Sequence, residues 1–301
     1  MAEVGRPQVK IRFGVSLGAD ASPGRLADTV DHLEASGVDS LWFSELIYSP
    51  SVDPFIGMTF ALARTAQLKV GTSVAVLPGR HPVLVAKQLA SLAALAPKRV
   101  LPVFGLRSAL PAERDLFRVP DGRRAEVFDE ALQLLRTALR EDDLTFNGSF
   151  YSARNIQILP KPEPPLDIWL GGASTPGFER IGAYGDGWLG SFVTPSEARR
   201  ARLAIGAAAD RAGRVIPADH FGINLAVGDG ALPEPVIAAV RTRRPDLDPT
   251  ELVARDWARL HRQIDEYIEA GLTKFVIRPA AGIGTEAFID TFVTEMLPRQ
   301  N

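Results

Sequence analysis

The chain has 301 residues, a formal net charge of −2, 46% hydrophobic residues and no cysteine. The absence of thiols excludes disulfide scaffolds, thiolate metal sites, iron–sulfur clusters and cysteine nucleophiles. The near-neutral balance lacks the clustered Lys and Arg of a nucleic-acid footprint, and no apolar run reaches the ~18 residues of a membrane span.

Residues 11–17 read as a short buried strand. Ser22-Pro23 then opens a helix, with Ser as N-cap and Pro in the first turn, and Gly37 closes it in the position glycine favours. A second strand (39–44), a helix (53–66), a third strand (69–77) and a helix (82–96) stopped by Pro97 follow. Strand four (99–105) contains Pro102, which removes one ladder donor. A long helix covers 122–140. The stretch 144–166 breaks the rhythm with a hairpin turning on Asn147-Gly148. Alternation resumes with strand five (167–171), a helix (175–183), strand six (187–190), a helix (195–213) and strand seven (220–227). A variable insertion at about 229–249 precedes a helix (250–270), strand eight (272–277) and a last helix (284–297). Eight strand–helix repeats demand a parallel sheet, and eight is the number that closes a barrel. No GxGxxG fingerprint follows the first strand, as an open dinucleotide-binding sheet would require. The expected fold is α/β, a (β/α)8 TIM barrel in one domain (1–301, with 1–10 an extension). It carries a β-hairpin insertion before strand five and a variable insertion after strand seven.

Such barrels place their sites where the strands end. Glu45 ends strand two, either as an acceptor or proton-transfer group or as a solvent-facing or helix-capping carboxylate. Gly105, Leu106 and Arg107 follow strand four. Gly171, Gly172, Ala173 and Ser174 follow strand five, where glycines and a helix N-terminus suit an anion, phosphate above all; a plain turn is the alternative. Ser191 ends strand six and Asn224 lies near the end of strand seven. Arg278 ends strand eight, to bind an anion bidentately or to pair with an acidic loop. Of His32, His81, His220 and His261, only His81 lies at the mouth, as a loop or cap residue. No metal-ligand spacing and no nucleophilic triad emerges, so no metal is expected. Arg241, Arg243 and Arg244, close to Asp246 and Asp248, read as a solvated face.

Several segments together resemble the bacterial luciferase-like oxidoreductases, and within them the branch dependent on coenzyme F420. They are DSLWFSE (39–45), LKVGTSVAVLPGRHPVLVAKQLASL (68–92), FNGSFYSARNIQILPKPEPPLDIWLGGAS (146–174), GDGWL (185–189) and KFVIRP (274–279). The resemblance implies a deazaflavin with its ring at the barrel mouth and its phosphate on the loop after strand five. It also implies a cis peptide at Ser73-Val74 behind the ring. The expected cofactor-binding set is then Glu45, Ser73, Val74, Gly105, Leu106, Gly171, Gly172, Ala173, Ser174 and Thr194, with Glu45 and Arg278 as catalytic candidates. The sequence also departs from the family. Leu46 stands where many relatives have histidine, and PVFGLRSALPAE replaces a GVGxG run followed by a carboxylate. The expected activity is hydride transfer between F420 and an unidentified small organic substrate. An FMN-dependent monooxygenase and a non-catalytic cofactor-binding barrel are the alternatives. A homodimer is implied by the resemblance, with the segment of helices two and three, dense in apolar residues such as Phe55, Met58 and Phe60, as a surface, unless these merely pack on the barrel. Arg6, Lys10 and Arg12 interrupt any apolar leader, so the expected location is cytoplasmic, with a small molecule, not nucleic acid or membrane, as partner.

Overall fold

A computed structural model describes residues 10–17 and 23–301. Residues 1–9 of the extension, Gly18 and the expected cap Ser22 lie outside the described residues. The first half of the chain runs β1 (Arg12–Ser16), α1 (Pro23–Ala35), β2 (Ser40–Phe43), α2 (Pro54–Arg64), β3 (Lys69–Thr72), β4 (Ala75–Val76) and α3 (Pro82–Leu95). Then come β5 (Val100–Leu101), β6 (Val103–Gly105), α4 (Arg124–Arg140), β7 (Leu144–Asn147) and β8 (Ser152–Ile156). The second half holds β9 (Trp169–Gly171), α5 (Thr175–Tyr184), β10 (Gly187–Ser191), α6 (Pro195–Arg211), β11 (Phe221–Val227) and α7 (Glu234–Arg243). It ends with α8 (Pro249–Leu252), β12 (Val253–Ala254), α9 (Trp257–Glu269), β13 (Lys274–Pro279) and α10 (Thr285–Met296).

All ladders of the main sheet are parallel, and they close on themselves. β13 pairs with β1, β1 with β2, β2 with β3, and β3 with β5. β4 pairs with β6, β6 with β9, β9 with β10, β10 with β11, and β11 with β13. Strand three is interrupted at Ser73-Val74, giving β3 and β4. Strand four is interrupted at Pro102, giving β5 and β6. Counted as single strands, the ring has the eight members expected. The interruption at Pro102 is mended from a neighbour: the Thr72 hydroxyl donates to the Val103 carbonyl at 2.6 Å and accepts the Val103 N–H at 2.8 Å. The Val103 N–H and C=O are thereby both satisfied; left bare in the interior, they would cost free energy.

The insertion before strand five is the antiparallel β7–β8 hairpin, but its turn differs from the expected one. Asn147 pairs with Ser152, so four residues span the turn. The Glu130 carboxylate of α4 holds them, accepting the N–H groups of Ser149, Phe150 and Tyr151 at 2.7, 2.8 and 2.7 Å. Gly148 is needed for close approach: a Cβ there would stand 2.1 Å from the Glu130 carboxylate. The expected helix 250–270 is also divided, into α8, the short strand β12 beside β11, and α9. On α2, Phe55 and Met58 are buried, so they pack on the barrel; Phe60, with Ile56 and Leu84, is exposed.

Side-chain alternation along strand eight fixes what lies inside. Phe275 and Ile277 join the large core between strands and helices. Val276 points the other way, into a lumen cluster with Trp42, Val103, Trp169 and Leu189. A period of two puts Lys274 and Arg278 on the lumen side as well. Lys274 sits beneath the Trp42 ring, 5.6 Å from its centroid, at the amino end of the barrel. Arg278 emerges at the carboxyl end.

Candidate active site

A cavity of about 630 Å³ opens at the carboxyl ends of the strands, within the size range of small-molecule and cofactor sites. Its floor is the top of the lumen core, where Val74 and Leu189 reach it. Polar groups cross that floor in a chain. Ser73 Oγ donates to Asn224 Oδ1 at 3.0 Å, and Asn224 Nδ2 donates to Ser191 Oγ at 3.0 Å. Strands three, seven and six are thereby tied together under whatever the cavity holds.

The wall formed by strands three, four and five is shaped by Val74. The Ser73–Val74 peptide bond is cis, as the resemblance implied. The Val74 side chain fills space that a Cβ would need on two neighbours. It lies 2.7 Å from a Cβ built at Gly105 and 3.0 Å from one built at Gly171. Gly171 therefore lacks a side chain to admit Val74. Gly172 is the glycine that faces open space: its φ is +130° and nothing lies within 4 Å of a Cβ built there. Its loop is held by Trp188 Nε1, which donates to the Gly172 carbonyl at 2.8 Å. Ser174 then caps α5, its side chain accepting the Gly177 N–H at 3.3 Å. Gly171, Gly172, Ser174 and Gly177 line the cavity, as do Ser73, Val74, Gly105 and Leu106. Two expected members stand apart. Ala173 is exposed and outside the lining. Thr194 is also outside it, as the N-cap of α6, where it forms a capping box with Glu197.

Glu45 lines the cavity, yet its carboxylate is engaged elsewhere. Oε2 accepts the Val76 N–H at 2.7 Å and Arg80 Nη1 at 2.9 Å, and Oε1 accepts Arg80 Nη2 at 2.5 Å. The Glu45 side chain is fully buried and Arg80 is largely so. The Arg80 guanidinium also lies over the rings of Phe117 and Phe55, at 5.0 and 5.9 Å. This bidentate pair fastens the end of strand three to the end of strand two. It makes Glu45 a positioning residue. Glu113 plays a similar part and was not singled out by its sequence. It is fully buried, accepting the Ser108 hydroxyl at 2.6 Å and the Tyr48 N–H at 2.8 Å, so the loops after strands four and two are bound together. Partners 35 and 65 residues away leave no local signature.

Four arginines line the cavity: Arg107, Arg180, Arg243 and Arg278. Arg180 pairs with Asp129. Among the described residues the other three have no carboxylate within ion-pair distance. Arg278 is half-buried, and its guanidinium donates to the Pro279 carbonyl at 3.5 Å. Burial, with the charge of Arg243 added, lowers its pKa from the usual arginine range. Arg243 comes from α7 in the insertion and lies 4.7 Å over the Phe192 ring. The solvated face expected for Arg241, Arg243 and Arg244 is corrected for Arg244, whose side chain is largely buried, while Arg243 is exposed as expected yet borders the cavity. Arg244 binds Glu197 at 2.8 Å, Asp246 at 2.7 Å and the Phe192 carbonyl at 2.7 Å. Packing of Val236 and Val240 on Ala226 and Ala280 holds α7 over strands seven and eight, and that long-range placement brings Arg243 to the edge of the cavity. His81 is exposed at the start of α3, edge-on to Tyr151, and does not line the cavity.

Residues 9–230 match the family model described as luciferase-like monooxygenase. An uncharacterized protein of Mycobacterium tuberculosis is 33% identical over 177 residues, which is 58% of this chain and 60% of that protein. The matched stretch is thus less than two thirds of that relative's length. An F420-dependent glucose-6-phosphate dehydrogenase of Beutenbergia cavernae is 27% identical, covering 96% of this chain and 97% of that protein. Among solved structures, an F420-dependent secondary alcohol dehydrogenase in complex with an F420–acetone adduct superposes with a TM-score of 0.82. Its identity is 18%, over 97% of this chain and 100% of that one. The oxygenating constituent of 3,6-diketocamphane monooxygenase of Pseudomonas putida, in complex with FMN, gives 0.72 at 14% identity, over 97% of this chain and 99% of that one. At such identities the likeness concerns the fold.

Proposed function

The chain belongs to the luciferase-like monooxygenase family, and from that premise we propose that it is an oxidoreductase that uses coenzyme F420. The observation that carries this reading is the cradle at Gly172. A Cβ there would enter open space beside the N-terminus of a ten-residue helix, which is the arrangement that receives a phosphate. Val74, Gly105 and Gly171 would form the wall behind a flat ring. Arg107 would meet negative charge on the same side, since strand four adjoins strand five. The full-length similarity to F420-dependent glucose-6-phosphate dehydrogenase supports the deazaflavin over FMN.

When bound, the deazaflavin supplies hydride transfer at its ring. The protein's own part is to bind and orient. Ser73, Asn224 and Ser191 fix the floor through the hydrogen bonds given above. The Glu45–Arg80 pair and Glu113 tie the surrounding loops to one another. Among the described residues lining the cavity there is no histidine, lysine or tyrosine, and the single carboxylate is held by Arg80. The side chains described there offer no proton donor suited to neutral pH. A proton delivered by solvent fits this lining, and Leu46 at the mouth agrees with it.

Titration of the purified protein with F420 and with FMN, following quenching of each cofactor's fluorescence, tests the proposal. Micromolar or tighter binding of F420 with weak FMN binding is expected. The reverse preference would make the protein a flavin-dependent monooxygenase, and binding of neither would make it a non-catalytic barrel.

A further inference from the structure

Strand eight lies opposite strand four in the ring, so the cavity has two cationic sides. Arg107 belongs to the side of the Gly172 loop. Arg278 and Arg243 belong to the far side, where β13 and the insertion helix α7 meet. We infer that Arg278 and Arg243 form a two-guanidinium clamp for an oxyanion, carboxylate or phosphate, carried by the substrate. The inference deepens the reading of this cavity as a cofactor-and-substrate site and rests on it.

Three observations lead to it. First, both side chains line the same cavity and neither has a carboxylate partner among the described residues. Arg278 is half-buried and Arg243 is exposed at the cavity's edge, and two like charges facing one cavity repel unless an anion joins them. Burial lowers the pKa of both groups, and Arg243 adds to the effect on Arg278. Second, the pair is held in place. Phe192 supports the Arg243 guanidinium face, and the Phe192 carbonyl is bound by Arg244, whose other donors hold Glu197 and Asp246. Arg278 projects from a barrel strand whose preceding residues are buried. Third, the polar side chains that strands six and seven contribute to the lining, Ser191 and Asn224, are uncharged and hydrogen-bonded to one another, so they supply no counter-charge for the arginines. Planar, fork-shaped donors of this kind match carboxylate and phosphate oxygens two at a time.

Isothermal titration of the full chain with inorganic phosphate, benzoate and benzamide tests the clamp, both without cofactor and with F420 at saturation. Saturable binding of phosphate or benzoate, with none for the neutral amide, is expected, and whichever ion binds more tightly identifies the kind of oxyanion. Arg278→Gln and Arg243→Gln should each weaken that binding at least about tenfold. Arg278→Lys should retain part of it, and Arg241→Gln, on the same helix as Arg243 but outside the cavity lining, should leave it intact. Thermal melts of each variant establish that it folds. Equal binding by Arg243→Gln and the wild type, or absence of saturable anion binding in the wild type, overturns the inference. So does displacement of the anion by F420, which would place it on the cofactor's phosphate loop. The variant series without cofactor reads the clamp even if F420 does not bind, so failure of the cofactor proposal and failure of this inference are separable.

Discussion

Lys274 and Arg278 stand on one strand, face one lumen and lie four residues apart, yet their surroundings are opposite. At the amino end of the barrel, Lys274 binds Asp39 at 2.8 Å, Lys69 binds the same carboxylate at 2.6 Å, and Arg12 lies 3.7 Å from it. A second carboxylate at that end, Asp186, gathers Arg136 and Arg214. At the carboxyl end, Arg278, Arg243 and Arg107 have no such partners among the described residues. Burying a charge is costly unless it is paired. The saturated end therefore has the character of a foundation, and the unsaturated end that of a receptor. This division agrees with the general placement of stability and function at the two faces of such barrels.

The contrast is best broken at its strongest point. Asp39→Asn leaves Lys274 and Lys69 facing each other without a counter-charge, and should cost about 3–5 kcal/mol of stability, measured by urea unfolding. The double variant Asp39→Asn/Lys274→Met should recover most of that loss. A small loss in the single variant would mean that the foundation does not depend on this cluster. Acid should produce a lesser version of the same effect. Burial alone would raise the Asp39 carboxyl, but Lys274 and Lys69 outweigh it and hold its pKa at about 2. A depressed carboxylate contributes stability that is present above its unfolded value near 4 and is lost as pH falls towards about 2. The contribution is about 2 kcal/mol. The gap in unfolding free energy between wild type and Asp39→Asn should therefore shrink between about pH 6 and about pH 3.

Two changes at the mouth sharpen the other side of the comparison. Gly172→Ala forces a side chain onto a φ of +130° and should cost about 1–3 kcal/mol, while weakening F420 binding in the fluorescence titration. Arg278→Met removes a charge that has no carboxylate partner among the described residues, so its unfolding free energy should stay within about 1 kcal/mol of wild type or rise. A large destabilisation by Arg278→Met would show that the mouth arginine serves the fold after all.

Much of the architecture was legible because it is periodic. Alternation in KFVIRP places Lys274, Val276 and Arg278 on one face, and eight strand–helix repeats imply a closed ring. What escaped the sequence depends on distant partners. Glu45 reads as a free acceptor until the fold brings Arg80 to it. Asn147-Gly148 reads as a two-residue turn until Glu130, from the preceding helix, takes three N–H groups of a longer one. Pro102 does interrupt its strand, but its repair by Thr72 is visible only once the neighbouring strand is in place. Arg243 had the least favourable context: set among arginines and aspartates in an insertion, it has the local composition of a solvated face, and only the docking of α7 brings it to the cavity. The implied cofactor set was likewise divided by space, with Thr194 and Ala173 falling outside the lining that its other members share.

The adjacency of Arg243 and Arg244 separates two duties within a single turn of chain. Arg244 anchors the insertion to the loop after strand six, and Arg243 presents its head group to the cavity. Because attachment does not depend on the presenting residue, position 243 is open to exchange without the segment coming loose. In an evolving lineage, or in a selection for altered specificity, this is a place where new substrates could be tried one residue at a time while the barrel beneath stays unchanged.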